Sequence, residues 1–250
     1  LIKPQPTVLE RRIDYFGNHV TSFAIQEPHT KLVVTAVSKV HVAPLAPIAP
    51  DETASWETVR DHLRSPQSAR NLEACQFTFD SPHVKCSEGL KDYAAQSFTP
   101  NRPILAAALE LTERIHREFR YDKTATTVST PLEDVLRLRR GVCQDFAHLE
   151  IGALRSLGLA ARYISGYLLT LPPPGQPRLI GADASHAWIT VYCGDAGWVD
   201  LDPTNNLIPS TSHISLAWGR DYSDVCPING VFIGGGQHGM NVWVDVLPLS

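Results

Sequence analysis

The sequence predicts an α+β fold: a helix that carries a candidate nucleophile, packed on an antiparallel sheet, with an N-terminal antiparallel β region ahead of it. Three observations predict it. Residues 11–42 alternate in strand fashion around a Tyr15-Phe16-Gly17-Asn18 turn. Residues 103–119 and 143–157 carry apolar stripes at helical spacing. Strand-like runs joined by turns follow the second stripe, and a helix followed by consecutive antiparallel strands is the order of an α+β core.

Taken in order, residues 20–25 and 31–42 are rich in β-branched side chains and read as strands. Three prolines between Ala43 and Pro50 cannot continue a ladder, so the β region is placed at residues 1–45. Residues 46–100 read as a connecting segment with short helices near 55–63 and 89–97, set off by Pro66 and Pro82. Residues 101–250 form the predicted core. Its first helix opens at Pro103, with Asn101 as cap and Leu105, Leu109, Thr112, Ile115 and Phe119 on one face. A threonine-rich loop from Tyr121 to Thr130 leads to a short helix from Pro131, whose basic end precedes Gly141. The next helix starts at Cys143 and stops at Gly158. Strands are predicted over 161–169, 185–192 and 197–202, with a proline-rich loop at 172–177. Two more are predicted at 231–233 and 241–246 across a glycine turn. No internal repeat is evident.

Composition narrows the function classes. A chain of 250 residues that is 43% hydrophobic and 19% charged can bury a full core. Its net charge of −4, with no long run of one sign, gives no footprint for nucleic acid or an anionic membrane. Apolar runs are broken well short of the roughly 20 residues a bilayer span requires, so no membrane partner is expected. The N-terminal Leu-Ile-Lys-Pro-Gln-Pro lacks the regions of a signal peptide, although a start at Leu is compatible with removal of upstream sequence. The five cysteines are odd in number, widely spaced and free of CxxC pairs. That pattern predicts no disulfide framework, no metal site and a reducing, cytoplasmic setting.

Cys143 differs from the other thiols because it lies in Arg-Arg-Gly-Val-Cys-Gln-Asp-Phe-Ala-His, at the first turn of a helix. Unpaired amides and the positive end of the helix dipole favour thiolate there. His148 lies five residues on, about 140° round the helix, and so diverges from the thiol. It is read as a structural histidine, and Asp145 as a complement to the dipole. His186 opens a strand with Trp188, Thr190 and Tyr192 on its own face, which suits a base on a site wall. Asp200 and Asp202 share a face of the next strand. Asp202 is favoured because Pro203 ends that strand beside the start of the previous one, where its carboxylate can accept the ring N–H that does not face the thiol. Trp188 and Tyr121 are the candidate cleft walls.

With those residues assembled, Gly141–His148, Ala184–Trp188 and Gly197–Asn205 resemble the three core blocks of the bacterial transglutaminase-like proteins. Tyr15–Asn18 and Gly219–Val225 extend the likeness over nearly the whole chain. The resemblance implies a papain-like thiol fold with Cys143 as nucleophile, His186 as base and Asp202 as its orienting carboxylate. It also implies acyl transfer on a peptide or protein amide through a thioester, with the Cys143 backbone N–H as first oxyanion donor and no cofactor. Hydrolysis is favoured because water is always present and selective aminolysis needs a built acceptor site. Transfer of a glutamine acyl group to an amine is the alternative, and a non-catalytic binding protein on the same fold is a third reading. Relatives begin with additional strands, so the β region is expected to be incomplete at its start. Trp56, the one tryptophan upstream of Cys143, lies far away in sequence, which leaves the second oxyanion donor unassigned.

Overall fold

The structure, a computed structural model, describes residues 1–44, 46–169, 184–234, 236 and 238–249. The chain forms two compact units, Leu1–Ala43 and Pro44–Ser250. No helix among the described residues is long and apolar enough to cross a membrane.

In the first unit β1 (Ile2–Lys3) pairs with β4 (Val33–Val34), and β2 (Val8–Ile13) forms an antiparallel hairpin with β3 (His19–Ala24). The turn between them is built by Asp14, whose Oδ1 accepts the N–H of Phe16 at 2.9 Å and of Asn18 at 2.8 Å, with Gly17 at φ +89°. The long strand expected over 31–42 is corrected to the two residues of β4. Beyond them Thr35 still exchanges backbone hydrogen bonds with Leu1, but the rest of the run has strand composition without a strand, and Val37 is 91% exposed.

The second unit opens with α1 (Trp56–Arg64), α2 (Ala69–Cys75) and α3 (Glu88–Ala95), whose N-cap serines 55, 68 and 87 each accept a first-turn amide. These helices, expected as a connecting segment, belong to the same compact unit as the core. Next come α4 (Ile104–Glu118), β5 (Arg120–Tyr121), α5 (Leu132–Leu138), β6 (Arg140–Gly141) and α6 (Cys143–Ser156). Asn101 does not cap α4; it takes φ +62°, and Pro103 holds the cap position. Every residue of α6 from Asp145 to Arg155 is buried, because helices and a sheet surround it. Gly152 is where α6 meets its helical neighbours, with Leu132, Leu90 and Val84 closing on the space a side chain would need. Gly158, at φ +80°, stops the helix as expected.

Four antiparallel strands follow: β7 (Ala161–Leu168), β8 (Ala184–Tyr192), β9 (Trp198–Leu201) and β10 (His213–Gly219), ordered β10-β7-β8-β9. The short α7 (Tyr222–Val225) comes last. The loop expected at 172–177 lies outside the described residues. Strand β10 is an addition to the expected architecture. The strands expected at 231–233 and 241–246 are absent: among the described residues there only Val244 makes a bridge, and Val231, Ile233 and Trp243 stay exposed.

Gly166 shapes the middle of the sheet. It lies opposite His186 on one side and Ser215 on the other, and a Cβ there would run into the Ile214 carbonyl oxygen and the Trp188 ring. Backbone cannot yield to a methyl group as a flexible side chain can. Gly166→Ala is expected to cost about 1–3 kcal/mol. In a thermal melt that is a drop of several degrees, and an unchanged midpoint would show that the strand separates without penalty.

Candidate active site

Cys143 is the first residue of α6, reached through β6, which pairs in parallel with β5 so that Tyr121 lies opposite Gly141. The helix start is closed by Asp145, whose Oδ2 accepts the Val142 N–H at 2.7 Å and the Thr126 hydroxyl at 2.6 Å. That is half of a capping box, and it spends Asp145 on the helix end. The Asp145 side chain also fills the space a Cβ at Gly141 would occupy. The half-buried Cys143 thiol is therefore presented at a fixed helix terminus.

His186 and Asp202 meet it from the sheet. His186 Nε2 lies 2.7 Å from Asp202 Oδ2. A carboxylate only accepts, so Nε2 carries the proton and Nδ1 is the nitrogen left for Cys143, with which the ring is also hydrogen-bonded. Burial works to lower the imidazole pKa, but the hydrogen bonds and charges of Asp202 and Cys143 outweigh it and raise His186 to about 9. For Asp202 burial works upward, and hydrogen bonds from His186, His213 and Asn205 hold the carboxyl far below the usual carboxylate range. Its other oxygen, Oδ1, accepts the backbone N–H of Thr204 at 2.9 Å and of Asn205 at 3.1 Å. The turn after Pro203 thus wraps the carboxylate and is closed by the Asp202–Leu207 bridge.

The structure brings Cys143, His186 and Asp202 together and separates the competitors. Asp200 Oδ2 instead accepts the Trp188 indole N–H at 3.2 Å. His148 turns away and accepts the Tyr222 N–H at 3.1 Å through Nε2; burial pushes it down to about 3, so it stays neutral. Trp188 is corrected from cleft wall to floor: it is 0% exposed, because the space above Gly166 lets its ring lie beneath His186 and edge-on to His213. Tyr121 is 47% exposed, its ring against Phe146, and burial together with the nearby charges of Cys143 and Asp145 pushes its hydroxyl up. Trp56 is tied to the Thr99 carbonyl at 3.0 Å.

Three residues of the site went unread in the sequence. His213, at the start of β10, places Nε2 3.0 Å from the same Asp202 Oδ2, and Asn205 Nδ2 donates to that oxygen at 2.7 Å. The nitrogens of His186 and His213 and an Asp202 oxygen lie within 4.8 Å of one another, close enough for a shared ion. The separations at Oδ2 are hydrogen-bond lengths, and an ion would displace the Nε2 proton that leaves Nδ1 to Cys143. Proton sharing accounts for each contact.

Glu150, two turns below Cys143 on α6, is the third. It is fully buried, and burial, with the charge of Asp202, pushes it up to about 8 against a hydrogen bond from Thr112. The Thr112 hydroxyl lies 3.0 Å from the Ala108 carbonyl and 2.6 Å from Glu150 Oε1. The one hydroxyl proton is shared between those two acceptors, so it offsets little of the cost of burying a charged Glu150. Between the unfolded value near 4.5 and about 8, the unfolded chain releases a proton that the folded chain keeps. Stability from this residue therefore falls as pH rises through that window, by at most about 1.4 kcal/mol per pH unit. Glu150→Gln, which mimics the neutral acid, is expected to gain stability relative to wild type between pH 5 and 8. Thermal melts at matched pH check this, and a constant difference would mean that Glu150 is ionised in the fold.

Comparison with known proteins bears on the family and the fold. The transglutaminase-like superfamily model matches residues 91–203, and the bacterial transglutaminase-like N-terminal region matches residues 1–41. An uncharacterized protein of Mycobacterium tuberculosis is 39% identical over 257 aligned residues, covering 100% of this chain and 80% of the relative. A protein-glutamine gamma-glutamyltransferase of Pseudomonas aeruginosa is 29% identical over 161 residues, covering 62% of this chain and 23% of that protein. The crystal structure of a proposed cysteine protease from Cytophaga hutchinsonii is 32% identical and superimposes with a TM-score of 0.51, covering 61% of this chain and 48% of that one. The chain belongs to the transglutaminase-like superfamily, with the bacterial transglutaminase-like N-terminal region ahead of its core.

Proposed function

We propose that this protein catalyses acyl transfer from amide or peptide bonds through a thioester on Cys143, with water as the usual acceptor. The observation that carries the reading is the division of labour at His186: Nε2–H is committed to Asp202, which leaves Nδ1 for the Cys143 thiol. The thiol proton passes to Nδ1, the thiolate attacks the carbonyl, and the imidazolium returns the proton to the leaving amine. Water then cleaves the thioester with His186 as base. The oxyanion is met by the Cys143 N–H, which has no intrahelical acceptor at the first helical position. Support for hydrolysis comes from the likeness to the proposed cysteine protease. The second reading, glutamine acyl transfer to an amine, is favoured by the likeness to the Pseudomonas aeruginosa protein-glutamine gamma-glutamyltransferase.

The test incubates the protein with glutamine-containing and isopeptide substrates, with and without a primary amine, and identifies products by mass. Acid products that persist in the presence of amine support hydrolysis. Amine adducts establish the transferase, and no product on any amide sinks both. A companion experiment needs no substrate: iodoacetamide at neutral pH is expected to label Cys143 first. Burial pushes Cys193 up to about 12 and also raises Cys86, while Cys75 and Cys226 donate to the carbonyls of Leu72 and Ile228. Peptide mapping that finds any of these four faster would remove the nucleophile assignment.

A further inference from the structure

We infer that His213 is a positioning residue of this site: its Nε2–H shares Asp202 Oδ2 with His186 and thereby sets how strongly the carboxylate holds the imidazole that serves Cys143. The inference rests on the Cys143–His186 pairing proposed above. Its own observation is a single carboxylate oxygen with two imidazoles on it, His186 Nε2 at 2.7 Å and His213 Nε2 at 3.0 Å, while Asn205 Nδ2 takes a third approach at 2.7 Å. Asp202 is wholly buried and His213 nearly so, so water does not stand in for either ring. The acceptor-only oxygen fixes both Nε2 atoms as donors. His213 Nδ1 then faces the Ser212 hydroxyl at 3.3 Å, which serves it as donor.

The fold goes to some length to make this contact. In register, His213 lies opposite Leu168, two residues along β7 from the Gly166 that lies opposite His186. All three share one face of the sheet, and His213 is two strands away from His186. The two rings approach to 5.9 Å between centroids because Gly166 puts no side chain between them, and the Trp188 edge, 5.2 Å from the His213 ring, fixes its tilt.

Two donors on one oxygen compete for its electron density. Each hydrogen bond from His213 weakens Asp202 as an acceptor for His186, so removing the His213 donor strengthens the Asp202–His186 pair and stabilises the imidazolium. Cys143 and Glu150 from α6 and Asp200 from β9 also act on this cluster, and His116 from α4 holds the Thr204 carbonyl of the turn that wraps Asp202; the hydrogen bonds at Oδ2 come from His186, His213 and Asn205.

The experiment measures the rate of Cys143 alkylation by iodoacetamide against pH in the full chain. Thiolate reactivity changes where His186 loses its proton, which gives an upper inflection near pH 9 in wild type. His213→Phe keeps a ring and loses the donor; its upper inflection is expected to rise by about half a unit to one unit, the worth of one hydrogen bond. His213→Gln, whose amide nitrogen can occupy the Nε2 position, is expected to return it to within about 0.2 units of wild type, a conservative rescue by a restored donor. An inflection that stays put or falls in a folded His213→Phe, or a His213→Gln no different from it, overturns the inference. Should His213→Phe fail to fold, imidazole NMR of wild type decides. The His213 Nε2–H signal must be present and shift when Cys143 is alkylated, and a signal that is missing or insensitive overturns the inference. Wild type without any upper inflection would instead break the Cys143–His186 pairing, and with it the proposed function.

Discussion

Asp202→Asn is expected to lower turnover by about 10³–10⁴-fold while leaving the apparent KM within about twofold. The carboxylate touches no substrate. It is wholly buried, and what it offers the reaction is a negative acceptor for the His186 Nε2–H. An Asn side chain of the same shape keeps the Oδ1 contacts with the Thr204 and Asn205 amides, so the turn should survive. Its amide group, however, presents donors toward His186 and His213, both of which already donate. His186 must then rotate or change tautomer, placing its proton on Nδ1, where it blocks transfer from Cys143. The imidazolium also loses its counter-charge, so His186 should fall from its raised value near 9. Steady-state kinetics and imidazole NMR on the folded variant check both statements. Near-normal turnover would mean that another group orients the base. Asp200 is poorly placed for that, because it is held by the Trp188 indole.

Cys143→Ala is expected to abolish turnover, a loss of about 10⁵-fold or more, since no other group in the site can form the thioester. The change removes one half-buried sulfur at the first helical position, so the melting temperature should barely move. It also removes one of the two groups that hold His186 up, leaving Asp202 as its partner. The variant should resist inactivation by iodoacetamide because there is nothing left to inactivate. Residual turnover that alkylation can still abolish would assign the chemistry to one of the remaining thiols.

The residues that sequence reading reached are those whose local context carries their chemistry. Cys143 is marked by the glycine turn before it and the helical stripe behind it, and Asp202 by the proline that ends its strand. The α6 stop at Gly158 was legible for the same reason, since a left-handed cap needs glycine. What stayed hidden depends on tertiary partners. Strand β10 has alternating Ile214, Leu216 and Trp218, but a bulge between Ser215 and Ala217 shifts its register and blurs the period that would announce it. His213 was lost with that strand. The reverse error occurs at 231–233 and 241–246, where β-branched residues promise strands and the described residues show a bridge at Val244 in their place. Trp188 was assigned the correct face of β8 and the wrong environment, because parity along a strand cannot show that Gly166 opposite leaves room for an indole to lie down.

The chain order of the site has a consequence for how it forms. His186, Asp202 and His213 are separated by 16 and 11 residues and lie within one run of strands and turns. His186 and Asp202 meet across the β8–β9 pair, and His213 joins them when β10 crosses to the far edge of the sheet and pairs with β7, so their hydrogen bonds close as that sheet closes. Cys143 arrives separately, on a helix that must dock against β7 and β8 to bring the sulfur to the imidazole. The carboxylate and its two rings thus belong to one cooperative unit, and the nucleophile is delivered by the seating of another. A thermal or chemical stress that loosens α6 while the strands hold would silence the thiol and leave the acid–base half assembled, so loss of Cys143 reactivity reports the undocking of one helix before it reports unfolding of the chain.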